Sequence, residues 1–153
     1  MTTTVIPNLT AVAIGGRALL IGGPPGSGKT SLALSLIDRG AVLIGDDGII
    51  LARYGGVMMA EPVPATRGLI EVRNVGLVEL PCTSAPAALH LHLAGDAPRF
   101  IDAAGTYDGG EMAVPSIAFA PGDAVQALRA EYALQIYGAG PSAQEPMIPD
   151  STR

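Results

Sequence analysis

Ala18-Leu19-Leu20-Ile21-Gly22-Gly23-Pro24-Pro25-Gly26-Ser27-Gly28-Lys29-Thr30 decides the fold: an apolar run, a turn of glycine and proline, then lysine and threonine. Gly23-Pro24-Pro25-Gly26-Ser27-Gly28-Lys29-Thr30 fills every fixed position of the phosphate-binding loop pattern. The glycines let the backbone curl so that successive N–H groups converge on phosphate oxygens. The positive end of a following helix adds to the pull. In such a loop Lys29 reaches the outer phosphates and the Thr30 hydroxyl can ligate Mg²⁺. Lys29 is the only lysine beside eight arginines. A compact ammonium thus stands where a point charge suits phosphate.

Working outward, residues 29–39 read as the helix the loop requires. Leu32 and Leu36, and Ala33 and Ile37, stack at a spacing of four, Arg39 complements the C-terminal dipole, and Gly40 stands at the C′ position. Upstream, Thr10–Ile14 and residues 18–21 flank Gly15-Gly16-Arg17 and predict a hairpin. Downstream, residues 41–44 fit a buried parallel strand, which completes a strand–helix–strand unit. Its end delivers Gly45-Asp46-Asp47 to the same sheet end as the loop. Two carboxylates there suit Mg²⁺ and a general base, although Asp-Asp-Gly is also ordinary turn chemistry.

Strands dominate the rest. Residues 49–54 and 57–60 flank Gly55-Gly56, and 68–72 and 75–80 flank Arg73-Asn74. Leu89, Leu91 and Leu93 alternate with His90 and His92, which predicts a half-buried strand with the histidines as a surface pair. Without a third ligand that pair does not make a metal site. Residues 102–111 read as a glycine-bearing loop. A last helix is expected from an Asp123 N-cap to Gly138, packed through Val125, Leu128, Tyr132 and Ile136. One domain over residues 1–139 and a mobile tail over 140–153 are expected.

Composition narrows the function classes. A net charge of −5 argues against general nucleic-acid binding, which needs a basic footprint, and supplies no polybasic membrane patch. No apolar run reaches the length of a membrane span, and the start has no signal-peptide pattern. The single cysteine, Cys82, excludes an internal disulfide and fits a cytoplasmic protein. Charged residues are only 15% of the chain, a composition compatible with surface covered by sister subunits.

A third constellation is Leu69-Ile70-Glu71-Val72-Arg73-Asn74-Val75-Gly76-Leu77, where alternation puts Glu71 and Arg73 on one strand face. Alone it reads as a solvated face. Together with the loop and the closely following Asp46-Asp47, it resembles the catalytic domain of HPr kinase/phosphorylase, in its short single-domain form, from about Asn8 to Leu80. The resemblance implies an α/β P-loop kinase domain with a mixed, phosphoenolpyruvate carboxykinase-like β-sheet. A helix follows the Walker A loop and a second helix lies near the C-terminus.

It also implies an ATP-dependent, Mg²⁺-requiring phosphotransferase of the phosphotransferase system. Such an enzyme phosphorylates a serine of an HPr-like phosphocarrier protein, can remove that phosphate by phosphorolysis, and assembles as a hexamer. Carried over by position, Asp46 is the general base, Asp47 supports it or the metal, and Glu71 joins Thr30 on Mg²⁺. Arg73 steadies phosphate charge, and Gly23 to Thr30 hold the nucleotide. Two positions depart from the family pattern. Asn8 replaces a histidine, and Asn74 replaces a glycine, where Asn is the residue best able to keep a left-handed turn. Two competing readings are a nucleotide-sensing pseudokinase and a small-metabolite kinase; for the latter, the eight scattered arginines supply no lid cluster.

Overall fold

Gly15 and Gly16, with φ of 57° and 85°, both take the left-handed backbone that closes a two-residue hairpin in the sense of strand twist. The computed structural model describes residues 2–108 and 113–140. In chain order it has β1 (Thr2–Pro7), the hairpin of β2 (Thr10–Ile14) and β3 (Arg17–Gly22), α1 (Lys29–Asp38) and β4 (Val42–Gly45). Two more hairpins follow, β5 (Gly48–Tyr54) with β6 (Val57–Glu61), and β7 (Leu69–Val72) with β8 (Gly76–Glu79). Then come β9 (Ala85–Leu93), β10 (Gly105–Asp108), β11 (Ala113–Phe119) and α2 (Gln126–Tyr137).

The large sheet runs β1-β5-β6-β9-β3-β2-β4 and is mixed. β9 is the hub, parallel to β3 and β11 and antiparallel to β6; β10 extends β11. β7 and β8 form a separate two-stranded sheet. Because strand side chains alternate, β3 feeds two cores. Leu19 and Ile21 pack with Leu32 and Leu36 of α1 and Leu134 of α2. Ala18 and Leu20 face the curled half of the sheet, with Ile44, Ile49 and Leu51.

Three expectations are corrected. β4 is not hydrogen-bonded as a parallel neighbour of β3: it pairs antiparallel with β2, with a register shift between Ala11 and Val12. The β2–β3 hairpin already occupies that edge of β3, so the chain leaving α1 lands beside β2. β4 still runs in the direction of β3, so its end arrives at the loop as expected. The second correction concerns α2, which begins at Gln126. Asp123 lies in the preceding turn, where its carboxylate accepts the Val125 N–H at 3.1 Å. The expected packing stripe faces outward, with Tyr132 56% and Ile136 69% exposed. Ala127, Ala130, Ala133 and Leu134 are buried instead, and the three alanines let α2 lie close against α1 and β9.

The third correction is His90. His92 is exposed, but His90 is buried: Ser116 of β11 and Tyr107 of β10 lie against its ring, which packs beside Gly22 of β3. Arg17 closes the far end of α2 by donating to the carbonyls of Leu134, Ala139 and Gly140 at 3.3, 3.1 and 3.2 Å. Arg39 ends α1 and forms a bidentate pair with Glu131 of α2. Part of the expected 102–111 loop is β10, and residues 109–112 and, of the expected tail 140–153, all but Gly140 lie outside the described residues.

Candidate active site

Gly26 and Gly28, at φ 79° and 103°, turn the loop into the first turn of α1, where the Leu32 N–H donates to the Gly28 carbonyl at 3.0 Å. Backbone of this kind forms the concave amide nest that suits anions, at the positive end of a helix. Lys29 is nearly buried, and its Nζ crosses the loop to donate to the carbonyls of Gly23 at 2.9 Å and Pro24 at 3.2 Å. The Ser27 hydroxyl is buried inside the loop without a hydrogen-bond partner from the chain.

Next to the loop, Asp46 follows directly on β4 and gathers three donors. Its Oδ1 accepts the Thr30 hydroxyl at 2.8 Å and the Thr10 hydroxyl at 3.1 Å, and its Oδ2 accepts the Glu71 N–H at 3.3 Å. Four separate elements thus meet at one carboxylate: β2, α1, the end of β4 and β7. Asp47 is exposed and left-handed, φ 60°, and its carbonyl accepts the Asn8 N–H at 3.2 Å. Asn8 is left-handed too, φ 65°, in the β1–β2 turn. Asn74, φ 68°, turns β7 into β8, where the Val75 N–H donates to the Val72 carbonyl at 2.9 Å.

A cleft of about 790 Å³ brings the candidates together. From the loop and α1 it is lined by Pro25, Gly26, Gly28, Lys29 and Thr30, from the β4–β5 turn by Asp46 and Asp47, and from the small hairpin by Glu71 and Arg73. Gly23, Pro24 and Ser27 shape the loop without lining the cleft. Thr10 was not singled out by the sequence, although it also lines the cleft. The only signal for it was a hydroxyl at the head of an otherwise apolar strand. The expected set around Thr30 was Asp47 and Glu71, but the carboxylate that touches Thr30 is Asp46.

These donors fit Mg²⁺. It prefers oxygen ligands and is commonly held by one or two carboxylates together with waters and substrate phosphates. A hydroxyl in contact with one carboxylate, with two more carboxylates lining the same cleft, supplies that chemistry. Among the described residues no cluster of three or more His, Cys, Asp or Glu side chains forms an all-protein cage.

Beneath the loop lies a second polar group. His90 Nδ1 is 2.8 Å from the Ser116 hydroxyl, and its ring stacks on Tyr107 at a centroid distance of 4.0 Å. A Cβ on Gly22 would come within 2.6 Å of His90 Nε2, so the histidine packs against the strand end that feeds the loop. Burial, with a smaller contribution from the charge of His92, lowers the His90 pKa from 6.5 to about 4. Burial also raises the Tyr107 phenol.

Residues 3–83 match the HPr Serine kinase C-terminal domain. The chain belongs to that family. An HPr kinase/phosphorylase of Mycoplasmopsis pulmonis is 39% identical over 71 residues, which are 46% of this chain and 23% of the relative. One from Clostridium novyi is 37% identical over 70 residues, again 46% and 23%. In these matches this HPr kinase family chain spans less than a quarter of each relative's length. The Hpr(Ser) kinase/phosphatase of Coxiella burnetii has the same fold, with a TM-score of 0.75 over 86% of this chain and 89% of that one, at 23% identity. Among the described residues no helix of the family chain is long and apolar enough to cross a membrane.

Proposed function

We propose that this chain is an ATP-dependent kinase that uses Mg²⁺ to phosphorylate a serine of an HPr-like phosphocarrier protein, and that it also removes that phosphate by phosphorolysis. The observation that carries the reading is the contact of Thr30, at the start of the loop helix, with Asp46 across the cleft, 2.8 Å apart. It joins a triphosphate cradle to a carboxylate able to act on an incoming hydroxyl. Gly23 to Thr30 hold the nucleotide, and Arg73, which lines the same cleft from the small hairpin, steadies phosphate charge. Thr30, Asp47 and Glu71 would hold the metal, with Asp46 beside it. Mg²⁺ there would neutralise charge on the phosphate oxygens.

In the forward direction the serine oxygen bonds to the terminal phosphorus as the bond to the ADP oxygen breaks, and Asp46 takes the serine proton. In phosphorolysis an oxygen of inorganic phosphate bonds to the phosphoserine phosphorus as the bond to the serine oxygen breaks, pyrophosphate leaves, and Asp46 returns a proton to the serine oxygen. Positioning and charge neutralisation carry most of such a reaction, so this small set of groups suffices. The reading extends to the cytoplasm and to a homo-oligomer, hexameric by family resemblance, with neither nucleic acid nor membrane as partner.

Purified protein incubated with γ-labelled ATP, Mg²⁺ and HPr tests it. The expected result is one phosphate on a serine of HPr, removed again when inorganic phosphate is added in excess. Label on a small metabolite alone, or nucleotide binding without transfer, would replace this reading by a metabolite kinase or a pseudokinase.

A further inference from the structure

Thr10 has no part in the reaction as described, yet both sides of its hydroxyl are engaged. The residue is 1% exposed at the base of the cleft. Its Oγ1 accepts the Asp47 N–H at 3.2 Å and donates to Asp46 Oδ1 at 3.1 Å. A hydroxyl carries a single proton, and an amide N–H occupying its lone pair leaves that proton to the carboxylate. The Thr30 hydroxyl donates to the same oxygen at 2.8 Å. Oδ1 therefore has two hydroxyl donors, while Oδ2 meets only the Glu71 N–H at a long 3.3 Å. Two chemically equal oxygens have become unequal. Thr10 also pairs with Ile21, one residue before Gly22, so the alignment of Asp46 is tied to the strand that enters the loop.

We infer that Thr10 is a positioning residue: it pins Asp46 through Oδ1 so that Oδ2 is the oxygen presented to the acceptor hydroxyl. The inference rests on the proposed kinase reading. Without Thr10 the carboxylate would keep one hydroxyl donor from α1 on Oδ1 and a long amide contact on Oδ2. The Thr10 hydroxyl adds a second direction of pull on Oδ1, from β2, and so narrows the range of carboxylate orientations. Small misplacements of a reacting group cost as much as about a hundredfold in rate.

The test uses Thr10→Val, which keeps the shape and strand preference of the side chain and deletes the hydroxyl, with Thr10→Ala as a second variant and Thr10→Ser as the rescue. Transfer from ATP to HPr is followed with Mg²⁺, and the nucleotide Kd is measured by calorimetry. Both deletions should lower kcat by roughly ten- to a hundredfold, with the ATP Kd and KM unchanged within about twofold, and Thr10→Ser should recover most of the loss. In an Asp46→Asn background Thr10→Val should have no further effect, because a residue acting through Asp46 is silent once Asp46 is gone. Wild-type kcat in both deletion variants, a parallel loss of nucleotide affinity, or full additivity with Asp46→Asn would overturn the positioning role and leave the kinase reading intact. A wild-type chain that transfers nothing to HPr would overturn both.

Discussion

Buried His90 makes stability depend on pH in a window where the isolated side chain begins to take up its proton. In the folded state its pKa is about 4, mainly because burial disfavours the charged ring; in the unfolded chain it returns to about 6.5. A depressed histidine pKa means the unfolded state binds more protons between those values. Its contribution is therefore complete above about 6.5 and is lost as pH falls toward 4. A gap of about 2.5 units corresponds to roughly 3 kcal/mol at the limit, and to about 2 kcal/mol between pH 7 and pH 4.5. The comparison is with His90→Asn, which does not titrate and can keep a polar atom toward the Ser116 hydroxyl, 2.8 Å from Nδ1 in the native site. Carboxylates shared by both proteins cancel in the difference. Urea unfolding at pH 7 and 4.5 should show the wild type losing about 2 kcal/mol more than the variant. Equal losses would mean that the ring takes its proton without leaving the Tyr107 stack, and the burial argument would fail.

The faces of α2 give a second prediction: Leu134→Ala, at a 2% exposed position, should cost about 2–5 kcal/mol, and Ile136→Ala, at 69%, less than about 0.5, in the same urea assay. Arg17→Met should cost about 1–3 kcal/mol and lower Tm by several degrees in calorimetry, because three carbonyls at the end of α2 lose a charged donor. Lys29→Ala should abolish ATP binding by calorimetry. Asp46→Asn should keep ATP affinity within a fewfold and reduce transfer to HPr by about a hundredfold or more.

The loop, its helix and the arrival of the acid pair were legible because each is local. Left-handed glycines, spacing of four and one helix plus one strand of travel are properties of adjacent residues. What failed was non-local. Nothing within residues 41–44 says that the neighbouring edge of β3 is already taken by β2, so direction was readable and partner was not. For α2 the hydrophobic stripe misled because bulk was taken as the sign of burial. A helix that must lie close to another buries alanines, and it left Tyr132 and Ile136 outside. For His90 the alternation on β9 was correct, but its neighbours Ser116 and Tyr107 come from β11 and β10, distant in sequence, and bury it. Thr10 was missed because a lone threonine in a strand has no motif, and only the fold brings it to Asp46.

The acid pair shows how one dipeptide can make a turn and still send a carboxylate into the cleft. Consecutive residues at a strand end cannot both turn into the same contact. Asp46, continuing from β4, points at Thr30 and Thr10, while Asp47 leaves the extended region for φ 60° and reverses the chain into β5. The turn is therefore made by the second aspartate, using the tolerance of a short polar residue for left-handed backbone. Its N–H and carbonyl are anchored by Thr10 and by the backbone of Asn8. That anchoring is what lets the first aspartate hold its place, since a loose turn would let Asp46 drift from the loop. Turn chemistry and cleft geometry are here one structure, and the β1–β2 turn at Asn8 is coupled to the cleft through main chain.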